Sequence, residues 1–196
     1  RLVTQTQQSP ALEHARTGAL RDPMPVGPGV TVGQFENGLQ YYIRENSEPA
    51  NRAEFSLVVK VGSVVEDEDQ LGLAHFLEHM AFNGTDNFEK QELIDFMESI
   101  GMRMGADLNA GTSFDETRYM LQIPTDSPEV MANTFQILED WAHGLTLDPE
   151  EIDKERGVII EEWRLRRGAA ARIQDEQFPV LLRDSRYAER SPIGTV

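Results

Sequence analysis

Apolar positions along the chain change period several times, and each change marks an expected element. Val32, Phe35, Leu39, Tyr41 and Ile43 alternate about Asn37-Gly38, a pair suited to the positive dihedrals of a tight two-residue turn, so a β-hairpin is predicted here. Phe55 to Val61 is a nearly continuous apolar run ending at Gly62, the pattern of a buried strand. After a polar link from Asp67 to Gly72, the residues Leu73, Phe76, Leu77, Met80 and Ala81 recur at helical spacing until Asn83-Gly84 stops them. A second helix is expected behind Asn87 as cap, carrying Leu93, Ile94, Phe96, Met97 and Ile100. Met102 to Ala110 and Thr117 to Ile123 have the alternation of strands joined around Gly111 to Glu116, and Val130 to Leu145 returns to the helical period.

The next helix start is written in full. Asp148 can cap it, Pro149 suits its first position, Glu151 would complete a capping box, and Leu147 with Ile152 would form a hydrophobic staple. One long helix is predicted from Pro149 to about Arg167, then Gly168, and then a further helical stretch that Pro179 interrupts or restarts. Strands followed by interspersed strands and helices imply an α+β class: an antiparallel sheet with helices packed on one side. No internal repeat is visible. Residues 1–29 carry Pro10, Pro23, Pro25 and Pro28 without a sustained period and read as an extended leader, with the ordered domain expected over 30–196.

Composition narrows the chemistry. With 34 Asp+Glu against 18 Lys+Arg the formal charge is −16, which opposes nucleic acid and anionic lipid as partners. No run approaches the roughly 18 apolar residues of a membrane span. The absence of cysteine excludes a disulfide framework, a thiolate metal site and a cysteine nucleophile, so any metal must sit on histidine and carboxylate. A start at Arg1 without an apolar signal core reads as a processed or trimmed N-terminus, as in an exported protein after signal removal or equally in a chain shortened for expression.

Two of the four histidines fall in Leu73-Ala-His75-Phe-Leu-Glu78-His79-Met80. A separation of four puts both imidazoles on one helical face, a ready bidentate clamp for zinc. Glu78 borders the same face and can act as general base toward a zinc-activated water without ligating the metal. The order His-x-x-Glu-His is the inverted zinc-protease motif. A catalytic zinc keeps three protein ligands, and the remaining histidines, His14 and His143, lie in the leader and near a helix end. The third ligand is therefore expected from the long helix, which offers Glu155, Glu161 and Glu162. Glu155 and Glu162 are two turns apart and share a face, so one can ligate and the other can orient a histidine or water. A solvated acidic stripe is the common fate of such glutamates; Val158, Ile159 and Ile160 argue instead for a largely buried helix.

Three ordered segments carry a family likeness: Gly72 to Thr85, Asn109 to Thr117, and Glu155 to Arg164. Together they resemble the insulinase/pitrilysin metallopeptidases, closest to their bacterial exported zinc-protease branch, over about Val30 to Val196. The resemblance implies Zn2+ as cofactor, Glu162 as third ligand and Glu155 as its supporting acid. It also implies that Asn109, Ala110, Gly111 and Thr112 form an edge strand binding substrate backbone, a mode with little demand on substrate sequence. The implied activity is zinc endopeptidase cleavage of peptides or unfolded segments, in the periplasm or outside the cell. The family fold, like that of the mitochondrial processing peptidase, continues beyond Pro192-Ile-Gly194 and is followed by a homologous second half. The chain thus reads as C-terminally incomplete, in need of that half or a partner subunit. Non-catalytic partner subunits share the fold, and the intact Glu78 and ligands speak for the enzyme. The run Ser185 to Gly194 also looks family-like, with no chemistry assigned to it.

Overall fold

The computed structural model describes residues 26–102 and 108–195. Most of the expected leader, residues 1–25, and residues 103–107 of the strand expected from Met102 lie outside them. The chain divides into two compact units, one ending at Glu48 and one beginning at Pro49.

The first unit contains the hairpin of β1 (Val30–Gln34) and β2 (Gln40–Arg44), antiparallel from Val30 opposite Arg44 to Gln34 opposite Gln40. Its turn differs from the expected two-residue form. Phe35 N–H donates to the Leu39 carbonyl at 2.9 Å, which leaves Glu36-Asn37-Gly38 as a three-residue loop. Such a loop needs only one left-handed position, and Gly38 takes it at φ +91°. Asn37 contributes through its side chain, whose Oδ1 accepts from Leu39 N–H at 3.1 Å.

The second unit is built on β3 (Arg52–Val59), β4 (Leu108–Thr112) and β5 (Thr117–Pro124), antiparallel in the order β3-β5-β4. Phe55 faces Leu121, Leu57 faces Tyr119, and Thr112 faces Thr117 across the ladders. The expected run of full burial in β3 is instead an alternation of exposed and half-buried residues, because among the described residues only one sheet face is covered. On that face Tyr119, Leu121 and Ile123 join Ala81, Leu93, Met97, Ile137 and Trp141 in the core.

Among the described residues five α-helices follow the expected order: α1 (Leu73–Met80), α2 (Lys90–Ser99), α3 (Pro128–His143), α4 (Pro149–Arg166) and α5 (Ala169–Leu181). The α1 and α3 helices pack on the sheet, and Trp141 of α3 donates its indole N–H to the Ala81 carbonyl at the end of α1, at 2.8 Å. Asn87 does not cap α2. Glu89 takes that place, and Asn87 instead donates to the buried Asp140 carboxylate from its side chain at 2.7 Å and its backbone at 3.2 Å.

Asp148 Oδ1 caps α4, accepting from Glu150 and Glu151 N–H at 2.8 and 3.2 Å with Pro149 in the first turn. The expected capping box is absent because Glu151 pairs with Lys90 and Lys154, each at 2.6 Å. Nor is α4 largely buried: none of its residues is fully so, and Val158 is 51% exposed. Its Ile159, Ile160 and Trp163 line an open apolar groove with Leu73 and Phe76 of α1. Pro179 neither interrupts nor restarts α5, which runs through it. Asp175, whose carbonyl the proline deprives of a partner, is exposed, so water can replace the lost bond.

Candidate metal centre

The start of α1 is fixed before any metal chemistry arises. Gly72 holds the left-handed conformation at φ +88°, and the Glu66 carboxylate accepts from Gly72 N–H at 2.9 Å and Ala74 N–H at 2.8 Å. Glu66 is itself buried, and its carbonyl accepts from Arg190 Nε at 2.9 Å and from the Arg186 guanidinium. Ser63 Oγ donates to the Arg190 carbonyl at 2.7 Å, and Arg190 pairs with Glu68 at 2.6 Å. Gly194 lies against Gly72 so closely that a Cβ on Gly194 would sit 2.7 Å from the Gly72 Cα. The run Ser185 to Gly194 thus has a structural task, clamping the N-terminus of the histidine helix. No short-range pattern in the sequence signals it, since the partners lie more than 100 residues apart.

One turn further along α1, the two imidazoles face α4. His75 Nε2 and His79 Nε2 are 3.2 Å apart, and Glu162 Oε2 lies 3.5 Å from the first and 3.3 Å from the second. These three are the group of donor atoms that converges among the described residues. Glu155, two turns before Glu162, accepts from His79 Nδ1 at 2.8 Å through Oε1. Glu161 points elsewhere and pairs with Arg164, at 63% exposure. Arg166 pairs with the other oxygen of Glu162, leaving Oε2 to the histidines.

The electrostatics favour a cation. His79 Nδ1 faces the Glu155 carboxylate, which only accepts, so the neutral imidazole carries its hydrogen there and turns the Nε2 lone pair to a second imidazole and a carboxylate oxygen. A proton on His75 alone cannot reconcile three such atoms at mutual separations of 3.2 to 3.5 Å. Tetrahedral zinc with ligands at about 2.0–2.1 Å requires separations of about 3.3–3.4 Å, so the triangle fits that ion. Burial first, and then the neighbouring His79, lowers the His75 pKa to about 4, which leaves its imidazole neutral at physiological pH and able to offer a lone pair.

Glu78, beside them on α1, is buried and does not join the triangle. Burial raises its pKa above the ordinary glutamate value, partly opposed by a hydrogen bond from Thr112. Thr112 Oγ1 donates to Glu78 Oε2 at 2.7 Å, lies 3.3 Å from Thr117 Oγ1, and Thr117 donates to the Val61 carbonyl at 2.9 Å. Of the other residues expected to meet substrate, Ala110 and Gly111 share β4 with Thr112, and Asn109 pairs with Met120 in the ladder. Sequence reasoning did not reach the Thr112 hydroxyl as a partner of Glu78, nor Asn83, whose Nδ2 donates to Glu155 Oε2 at 2.9 Å.

Known proteins share this arrangement of elements. The family model described as insulinase (Peptidase family M16) matches residues 41–175. A zinc protease PQQL-like protein of Arabidopsis thaliana is 44% identical over 166 residues, covering 85% of this chain and 17% of that protein. A probable zinc protease PqqL of Escherichia coli (strain K12) is 39% identical over 171 residues, covering 87% of this chain and 18% of that protein. The crystal structure of the first half of the periplasmic protease PqqL from Escherichia coli matches with a TM-score of 0.84 at 38% identity, over 88% of this chain and 37% of that one. The chain spans less than a fifth of the length of these curated relatives, at 17% and 18%. Since the family match runs through both α1 and α4, the helices on which the histidines and glutamates converge, the chain belongs to the insulinase family, Peptidase family M16.

Proposed function

We propose that this chain is the zinc-binding, catalytic part of a metalloendopeptidase that hydrolyses peptide bonds in peptides or unfolded segments. One observation carries the reading: His75 Nε2, His79 Nε2 and Glu162 Oε2 converge at the spacing of a zinc site, with the buried Glu78 carboxylate next to them. Zinc held by these three would supply a Lewis acid able to activate a water and polarise a carbonyl.

The remaining work belongs to the chain. Glu78 takes the water's proton, and its raised pKa makes it the stronger base. Glu155 holds His79 by Nδ1, so that Nε2 stays turned to the ligand triangle. While Glu78 is charged, Thr112 donates to it. The proton that Glu78 gains passes on to the amine nitrogen of the leaving segment, and Thr112 holds Glu78 by Oε2 through the exchange.

Among the described residues β4 pairs with β5 alone, which supports Asn109 to Thr112 as an edge to which substrate backbone adds as a further strand. The length of the relatives supports a homologous C-terminal half, or a partner subunit, that closes over the substrate. The periplasmic origin of the Escherichia coli protein supports a periplasmic or secreted location. No described helix is long and apolar enough to cross a membrane.

The test is zinc titration and hydrolysis of a generic peptide by the full-length protein and its Glu78→Gln variant. The variant is expected to keep its zinc and lose activity by about 10²–10⁴-fold. Undiminished turnover would remove Glu78 from the mechanism, and a parent protein that does not bind zinc would remove the metal.

A further inference from the structure

Glu155 is a long side chain on a partly exposed helix, yet it must present one oxygen to His79 Nδ1 at a fixed place. Its other oxygen explains how. Asn83, just beyond the end of α1, is 8% exposed, and its backbone N–H is tied to the Met80 carbonyl at 3.0 Å. Its side-chain Nδ2 lies 2.9 Å from Glu155 Oε2. A carboxylate only accepts, so the amide nitrogen must be the end that faces it. The same nitrogen lies 3.4 Å from the His79 carbonyl.

Both oxygens of Glu155 are therefore held from one segment, Oε1 by His79 and Oε2 by Asn83, and the carboxylate cannot turn without losing one of them. Among the described residues no lysine or arginine pairs with Glu155. A neutral amide fixes the carboxylate without quenching its charge, and that charge is what strengthens the imidazole as a ligand.

We infer that Asn83 is a positioning residue for the metal centre, acting through Glu155 on the ring of His79. The inference rests on the zinc reading above, and its test separates the two.

Zinc affinity of the full-length protein would be measured by competition with a chelator, without recourse to activity. Melting of the metal-free protein would be followed alongside. Asn83→Ala is expected to weaken zinc binding by about 10- to 100-fold, the range for losing a partner of a ligating histidine. Placed on Glu155→Ala, it should cost little more, because the group it acts through is already gone. Asn83→Asp, nearly isosteric, sets two acceptors against each other and should weaken binding further. Combining it with Glu155→Gln reverses donor and acceptor and should recover part of that loss.

Unchanged zinc affinity in Asn83→Ala, or an equal loss with and without Glu155, would overturn the inference while leaving the metal site standing. If Asn83→Ala does not fold, the comparison of Asn83→Asp with its Glu155→Gln combination decides, and failure to recover overturns the inference. A parent that binds no zinc takes both readings down.

Discussion

At the level of single residues, the candidate site depends on which groups share one helix and which arrive from elsewhere. His75, Glu78 and His79 could be read from spacing alone, because one turn of helix determines their relation. Thr112 reaches Glu78 across 34 positions and Asn83 reaches Glu155 across 72, and no periodicity records such pairs. The proposed third ligand stood between: helical geometry allowed Glu155 and Glu162 equally, and only the family resemblance chose. In the structure both face α1, one toward the triangle and one toward His79 Nδ1. The Thr112 hydroxyl makes a testable difference to Glu78, the proposed base. Its hydrogen bond lowers the Glu78 pKa against the upward pull of burial, so removing it must raise that pKa. In Thr112→Val the acid limb of the kcat/KM profile should therefore move to higher pH, and Thr112→Ser should restore it. A limb that stays in place would show that Thr112 does not touch the working base.

Among the elements, α3 and the turn after α1 are joined by a buried charge. Asp140 is 1% exposed and accepts from Thr85 Oγ1 at 2.6 Å, from Asn87 Nδ2 at 2.7 Å and from Gln136 Nε2 at 3.1 Å. Burial by itself would raise its pKa, but these donors outweigh it and hold the carboxyl below the ordinary value. A carboxylate lowered in the fold stabilises it fully above the unfolded pKa of about 3.9, and the contribution disappears as pH falls through the folded value. Asp140→Ala should cost about 2–3 kcal/mol near neutral pH, the scale of hydrogen bonds to a charged group. Its deficit in melting temperature against the parent should shrink below about pH 4. A constant deficit across that range would assign the effect to packing. Asn87 explains why the start of α2 was misplaced in the sequence. Its chemistry suits a cap, but a stronger partner 53 residues away claims the side chain. The α4 start was legible because Asp148 and Pro149 act within one turn. Burial of α4 was not legible, since Val158, Ile159 and Ile160 report apolar character but not whether anything covers it.

For the whole molecule, the class of antiparallel sheet with helices on one face followed from alternating periods, whereas the strand order β3-β5-β4 did not, because pairing partners leave no local mark. We expect the isolated chain to bind zinc yet hydrolyse a generic peptide poorly, since misplacing a substrate by about 1 Å can cost on the order of 10²-fold. Extending the chain toward the length of its relatives, or adding the proposed homologous half in trans, should restore cleavage; robust Glu78-dependent turnover by residues 1–196 as a monomer would defeat that expectation. The clamp on α1 also bears on the order of folding. Glu66 and Ser63 meet Arg190 across 124 and 127 positions, and Gly72 abuts Gly194. Closing so long a loop adds little to the free-energy cost, which grows only with the logarithm of length. In time it matters more, because local turns form first and distant contacts follow. On a ribosome, α1 can coil as soon as it emerges, but its first turn is locked only after residues 186–194 have been made. The imidazoles of an elongating chain are thus present long before the helix that aims them is held at its start.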